Sequence, residues 1–172
     1  MAGAAEPGVP AGGLSAPAWV ERRQAQLSRW SVARLAIGIA AAASGLHLLL
    51  WGTGAPLGSA PVPGAVLAAA GLAWALWAWA SFRQAGMPLE ADTPMQLIDE
   101  GPYRYSRHPM YLGITAALVG TAMALGVPLL LLGALLFMAV VHTVHIPREE
   151  AQLARRFGGW WRDYAGDVRR WL

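Results

Sequence analysis

The chain contains no cysteine and no lysine, and charged residues account for only 13% of its 172 positions. The lack of cysteine excludes a small secreted domain held together by disulfide bonds. The scarcity of charge argues against a water-soluble domain, in which about a quarter of the residues are charged. Hydrophobic residues make up 56% of the sequence, so the composition indicates a membrane protein.

The basic residues are all arginines, and the net charge is +3. They flank apolar stretches instead of gathering in one segment, so a nucleic-acid-binding domain is not expected. No charged residue occurs between Gly52 and Phe82 or between His108 and Pro147. Each of these stretches exceeds the roughly 18 apolar residues that identify a membrane-spanning helix. We therefore predict an integral membrane protein in contact with membrane lipids.

The predicted fold is all-α, with four transmembrane helices and an amphipathic helix at the carboxyl end. Trp30 and Trp51 lie at the two ends of the first apolar run, where aromatic rings favour the membrane interface. Gly126 and Pro128 divide the second uncharged stretch into a short helical hairpin. Residues 1–17, rich in Ala, Gly and Pro, are predicted to be a disordered leader before a single domain, 18–172. The predicted spans are about 30–51, 65–82, 109–125 and 128–146, followed by a tail helix over about 148–172.

The distribution of arginine predicts the orientation of the chain. Arginines precede the first span, occur in the loop between the second and third spans, and follow the fourth, but the other two loops have none. By the positive-inside rule, both termini and the loop 83–107 are cytoplasmic. We expect the inner membrane if the host is bacterial, with the apolar stripe of the tail helix lying along the cytoplasmic surface.

A dense group of polar residues directly precedes the third span. Pro109 suits the first position of a helix, because its missing N–H would be unpaired there. The free N–H groups that follow, with Arg104 and Arg107, predict a site for an anion such as a carboxylate or a phosphate. Tyr111 offers a ring and a hydroxyl, and Gly113 allows close approach to the backbone. The alternative interpretation is that these Tyr and Arg residues only anchor an interfacial loop.

A second polar group lies at the end of the fourth span. His142, His145 and Glu149 would share one face of a continuous helix, and Glu150 is adjacent. Histidines within a membrane helix need polar partners or a wet cavity, which makes them functional candidates. The group has no cysteine and no His-Glu-x-x-His pattern, so no metal site is predicted. His47, in the first span, is interpreted as a core histidine that hydrogen-bonds a neighbouring helix.

Taken together, the two groups resemble a known family. The string Gly101-Pro-Tyr-Arg-Tyr-Ser-Arg-His-Pro-Met-Tyr-Leu-Gly113 is followed by a hydrophobic hairpin and then by Glu149-Glu150-x-x-Leu153-x-x-x-Phe157-Gly158-x-x-Trp161-x-x-Tyr164. This order and spacing are similar to those of the isoprenylcysteine carboxyl methyltransferase and phospholipid methyltransferase superfamily. Trp161 departs from the pattern, which usually has Tyr there, but an aromatic residue is kept. The first two spans carry no match.

The resemblance implies a membrane methyltransferase that uses S-adenosyl-L-methionine at the cytoplasmic face. It also implies that Arg107 and His108 are the catalytic residues. Arginines and free N–H groups suit the carboxylate of this cofactor, and glutamates suit its ammonium and sulfonium charges. The resemblance assigns to the cofactor Arg107, His108, Tyr111, Leu112, Gly113, Glu149 and Glu150. Arg104 and His145, which the polar groups themselves suggest, complete the predicted cofactor site.

The methyl acceptor stays open among an isoprenylcysteine carboxylate, a phospholipid amine and a thiol, each of which would reach the site from the bilayer. An amine would have to lose a proton, and His108, His142 and His145 are the candidate bases because histidine titrates near neutral pH. One alternative is an NADPH-dependent reductase similar to the membrane sterol reductases, although such chains are usually longer. The other is a non-catalytic membrane module for binding or assembly. The oligomeric state stays open as well.

Overall fold

The computed structural model describes residues 18–54, 58–84 and 97–172. Within these ranges the chain is helical and contains no β-strand, which confirms the all-α prediction. The predicted leader, 1–17, lies outside the described residues. The helices are α1 Ala18–Trp51, α2 Pro61–Gln84, α3 Pro109–Leu125, α4 Pro128–Val140, α5 Ile146–Phe157 and α6 Gly159–Asp167, with a 3-10 turn at Gly101–Arg104 and a π turn at Val141–His145.

In the described part of the chain, three helical segments are long and apolar enough to cross a membrane: Val32–Trp51, Pro61–Gln84 and Pro128–Phe157. Helix α3 is also apolar but has 17 residues, a length of about 26 Å. A crossing by α3, and with it the count of four spans, stays a prediction, as does the cytoplasmic position of the termini. Large apolar side chains project outward from the bundle, as lipid-facing residues do; they include Leu49, Leu132, Leu135 and Leu136.

The carboxyl-terminal part differs from the single tail helix predicted over 148–172. Helix α4 continues through the π turn into α5, so one helical rod extends from Pro128 to Phe157, apolar in its first part and charged in α5. Pro147 does not end this rod. In the π turn the N–H of Ile146 donates to the Val141 carbonyl, and this wider ring leaves room for the proline. Gly158, at φ 53°, ends α5 instead, and the residues after α6 are not helical.

Helices α2 and α3 pack with their backbones in direct contact. A Cβ atom placed on Gly113 would lie 2.6 Å from the backbone nitrogen of Ala75, and one on Gly120 would lie 2.3 Å from that of Ala68. Small residues allow this approach, and close packing drives helix association in a membrane because apolar helices gain nothing there from leaving lipid. We call this contact the glycine seam; its glycines are Gly64, Gly71, Gly113 and Gly120.

Two apolar clusters bring the polar groups to the same end of the bundle. In the first, Phe137, Val141 and Ile146 are fully buried, with Tyr111 of α3 packed against them. The second joins α6 to the segment before the 3-10 turn, through Leu97, Trp161 and Tyr164. As a result, the start of α3, helix α5 and the carboxyl end of the chain meet.

His47 is buried, as the sequence predicts, but its partner is not on a neighbouring helix. Its Nε2 lies 2.9 Å from the carbonyl oxygen of Gly54, just beyond the end of α1. The imidazole ring also packs against Trp51, with ring centroids 5.4 Å apart. His47 therefore binds the backbone just after the carboxyl end of its own helix, in a region where carbonyl oxygens lack partners within the helix.

Candidate functional site

Glu150, on α5, is the centre of a charged cluster between α3 and the carboxyl end. Its Oε1 lies 3.1 Å from Nη1 of Arg107 and 3.3 Å from Nε2 of His108. Arg170 binds the same carboxylate in bidentate fashion, with Nε 3.1 Å from Oε1 and Nη2 2.5 Å from Oε2. The Glu150 side chain is only 13% exposed, so its charge is held by three basic side chains rather than by water.

Glu149 approaches the same histidine from the other side. The hydroxyl of Tyr111 donates to Glu149 Oε1 at 2.5 Å, and Nδ1 of His108 lies 3.6 Å from Oε2. The rings of His108 and Tyr111 are nearly parallel, with centroids 5.9 Å apart. Glu149 is 32% exposed and is the more accessible of the two carboxylates.

His108 therefore has a carboxylate at each ring nitrogen. A carboxylate only accepts hydrogen bonds, so both nitrogens are satisfied together when both carry a proton. Burial favours the neutral ring and acts to lower the pKa of His108, but the hydrogen bonds and charges of Glu149 and Glu150 outweigh it and raise the pKa above the ordinary 6.5. The two glutamates therefore favour the protonated form of the imidazole.

The backbone before α3 is held by Ser106, which is fully buried. Its Oγ accepts from the N–H of His108 at 3.2 Å and donates to the carbonyl oxygen of Arg170 at 3.2 Å. The N–H of Arg107 donates to the carbonyl oxygen of Arg169 at 3.0 Å. The donors before α3, where the sequence predicts an anion, are therefore used in part by the carboxyl-terminal backbone.

The structure brings five of the predicted site residues together: Arg107, His108, Tyr111, Glu149 and Glu150. Of the other four, Arg104 is exposed on the 3-10 turn, outside the ion pairs of the cluster. Leu112 is half-buried, and its N–H donates to the His108 carbonyl. Gly113 lies in the glycine seam against α2, and His145 is half-buried in the π turn.

Several residues of the cluster were missed by sequence reasoning. Arg170 and Trp171 lie beyond the helices, where no periodic pattern signals a contact. Trp171 donates from Nε1 to Nδ1 of His142 at 3.3 Å, and its ring centroid is 6.4 Å from that of His108. Tyr164 donates to the Tyr103 carbonyl at 2.8 Å, and burial raises its pKa to about 12. The Tyr164 match was visible in the sequence, but its partner was not.

The polar atoms of the cluster fit the amino-acid head of S-adenosyl-L-methionine. Nε of Arg107 is buried and has no hydrogen-bond partner among the described residues. A buried donor of this kind is costly unless a ligand binds it, and a carboxylate is its natural ligand. Glu149, a third exposed, still has acceptor capacity for an ammonium group. The cluster thus contains a donor for the carboxylate of the cofactor and an acceptor for its ammonium group.

Comparisons with known proteins bear on this arrangement. A family model described as phospholipid methyltransferase matches residues 60–159, which include α2, the motif before α3, the helical hairpin and the first part of the second motif, as far as Gly158. The inclusion of α2 corrects the expectation that the first two spans carry no match. An uncharacterised protein of Haemophilus influenzae is 40% identical over 63 residues, which is 37% of this chain and the whole of that protein. No solved structure matches the chain. The match over more than half of its length confirms the resemblance found in the sequence, and the chain belongs to the phospholipid methyltransferase family.

Proposed function

We propose that the protein is an integral-membrane methyltransferase that uses S-adenosyl-L-methionine and acts on a lipophilic or membrane-delivered acceptor. The family indicates a membrane methyltransferase. The observation that carries the cofactor proposal is the meeting of the two motifs: Arg107 and His108 lie within 3.3 Å of a glutamate 42 or more positions away. Charges buried at such cost at the end of apolar helices favour a functional role.

In this proposal, the groups of the cluster divide the cofactor's head between them. Arg107 would bind the carboxylate through its unpaired Nε, and Glu149 would bind the ammonium. When bound, the cofactor supplies an activated methyl group on a cationic sulfur. The protein's contribution is then to orient donor and acceptor and to exclude water, and effective molarity alone can supply about 7–11 kcal/mol of the barrier.

We assign His108 to positioning rather than to proton transfer. A general base needs a free lone pair, and both nitrogens of His108 face carboxylate oxygens. Its charge instead holds Glu149 and Glu150 on either side of one ring, which fixes the geometry of the proposed cofactor site. Arg107 stays the residue proposed to touch the cofactor directly.

The acceptor stays open among a phospholipid amine, an isoprenylcysteine carboxylate and a thiol. The description of the family favours a phospholipid. A carboxylate or thiolate reacts without a base, whereas a phospholipid amine has to lose a proton; with His108 engaged, His142 and His145 stay the candidate bases. We expect mass spectrometry of host lipids and thiols, with and without the gene, to reveal the acceptor as a loss of one or more methyl groups.

Calorimetry on the purified full chain in detergent tests the cofactor proposal. Wild type should bind S-adenosyl-L-methionine, and Arg107→Gln and Glu149→Gln should each weaken binding by about tenfold, the loss expected for one charge-assisted hydrogen bond. Arg155→Gln is the matched control, because it removes an exposed arginine of α5 outside the cluster. Saturable binding of NADPH with none of S-adenosyl-L-methionine would point to a reductase. Binding of neither would point to a non-catalytic module.

A further inference from the structure

The residues that follow α6 lie across the candidate site. We call residues 168–172 the strap. The carbonyl oxygens of Arg169 and Arg170 accept from Arg107 N–H at 3.0 Å and from Ser106 Oγ at 3.2 Å. The Trp171 ring contacts both His108 and His142. The strap is thus attached to the motif before α3 and to the π turn, and neither attachment follows from the family motifs.

Two groups of the strap contact residues of the candidate site. The Arg169 carbonyl oxygen accepts a hydrogen bond from the backbone N–H of Arg107. The Arg170 guanidinium contacts both oxygens of Glu150. Arg170 therefore places a cation on one of the two carboxylates that the proposed site offers to the cationic groups of the cofactor.

The contact of Arg170 with Glu150 has a simple electrostatic reason. Arg107 and His108 both contact Oε1 of Glu150, whereas among the described residues Oε2 is contacted by Arg170. A carboxylate that is 13% exposed is destabilising unless its charge is compensated. In the ligand-free protein, Arg170 supplies that compensation at the oxygen that the other two basic side chains do not reach.

Arg170 is also the partner that can leave most easily. Its side chain is 35% exposed, compared with 17% for Arg107 and 5% for His108. Because its side chain is partly exposed, Arg170 is open to competition from solvent and from a ligand, whereas Arg107 and His108 are enclosed. The strap has no helical structure of its own, so its movement does not require a helix to unfold.

We propose that the strap is autoinhibitory and that Arg170 competes with the methyl donor for Glu150. Arg170 neutralises Glu150 until a cationic group of the donor replaces it, and the strap then moves away from the motif. This inference rests on the proposed function, because it takes the donor to be S-adenosyl-L-methionine. It assigns to Arg170 a role opposite to that of Arg107: one competes with the donor, and the other binds it.

Calorimetry with S-adenosyl-L-methionine on the full chain separates these roles. Arg170→Gln should bind it more tightly than wild type, by a factor of about 3 to 10, because a weak competing ion pair has been removed. Arg169→Gln is the matched control and should bind like wild type, since its side chain is exposed and its contact to Arg107 is through the backbone. Equal or weaker binding by Arg170→Gln would overturn the proposal. Absence of binding in all three proteins would instead refute the proposed function, and the inference with it.

A distance measurement tests the movement without altering the site. The chain has no native cysteine, so spin labels on Gln152→Cys and Leu172→Cys, both exposed positions, would be the only labels present. Saturating S-adenosyl-L-methionine should lengthen or broaden the distance distribution measured by pulsed electron paramagnetic resonance. An unchanged distribution at saturation would overturn the proposal, whatever the affinity of Arg170→Gln.

Discussion

Replacing Gly113 by alanine should separate α2 from α3 and destabilise the protein. The added Cβ would lie 2.6 Å from the backbone nitrogen of Ala75 and from the carbonyl oxygen of Gly71, where ordinary contact begins at 3.4 Å. The two backbones would have to move apart by about 0.8 Å, and neither is a flexible side chain that can turn away. Overpacking of this kind costs about 1–3 kcal/mol of unfolding free energy.

The chain contains a control for this prediction. Gly45 is also within a helix, α1, but a Cβ there meets no atom within 4 Å. Gly45→Ala should therefore not destabilise, and helix propensity favours it by up to about 1 kcal/mol. Unfolding in mixed micelles, followed by circular dichroism, compares the two variants. If Gly113→Ala is as stable as Gly45→Ala, the glycine seam is not the close contact described above.

A third variant distinguishes packing from a direct role at the cofactor. Gly120 lies in the same seam, seven residues or about 10.5 Å along α3 from Gly113. We expect Gly120→Ala to lose comparable stability but to keep its affinity for S-adenosyl-L-methionine. Gly113→Ala should lose both, because Tyr111 is two residues away and its hydroxyl must stay within 2.5 Å of Glu149. If Gly113→Ala bound S-adenosyl-L-methionine more weakly but were as stable as wild type, Gly113 would line the cofactor, as the family resemblance implies.

Three further predictions concern the cluster and the topology. Because folding raises the pKa of His108, the contribution of this residue to stability is fully present below its unfolded pKa near 6.5 and is lost as the pH rises through its folded pKa. The unfolding free energy of wild type should therefore fall over this pH range, and that fall should be absent in His108→Gln. Glu150→Gln should cost about 3 kcal/mol or more, since three cations lose their partner, and Glu149→Gln should cost less because it is a third exposed; chemical denaturation would compare them, and equal losses would contradict the burial argument. A reporter enzyme active only in the periplasm should be inactive when fused to the carboxyl terminus, and activity there would refute the predicted orientation.

Much of the helical arrangement was predictable from local chemistry. Pro109 and Pro128 begin helices, and Gly126 ends α3 with φ 65° in the left-handed region, as a glycine between two helices favours. The stretches without charge identified the apolar segments. These features depend on neighbouring residues alone, so one sequence is enough to find them.

The remaining features depend on contacts between distant residues. Pro147 alone suggests a kink, and it is the hydrogen bond of the π turn that keeps the rod continuous and sets the direction in which Glu149 projects. Arg170 follows two helix ends, and its pairing with Glu150 depends on where those ends turn the chain. For Gly113, the sequence predicted close approach of the cofactor to the backbone, and this stays a prediction; in the structure α2 packs against this glycine, and no sequence pattern connects the two.

The glycine seam has a consequence for the path by which a lipophilic acceptor reaches the candidate site. The backbones of α2 and α3 touch at all four glycines of the seam, so no gap is left between these two helices for an acyl or prenyl chain. An acceptor that reaches the candidate site from the bilayer must therefore enter elsewhere, and substitutions that change the preference among acceptors should lie away from the seam.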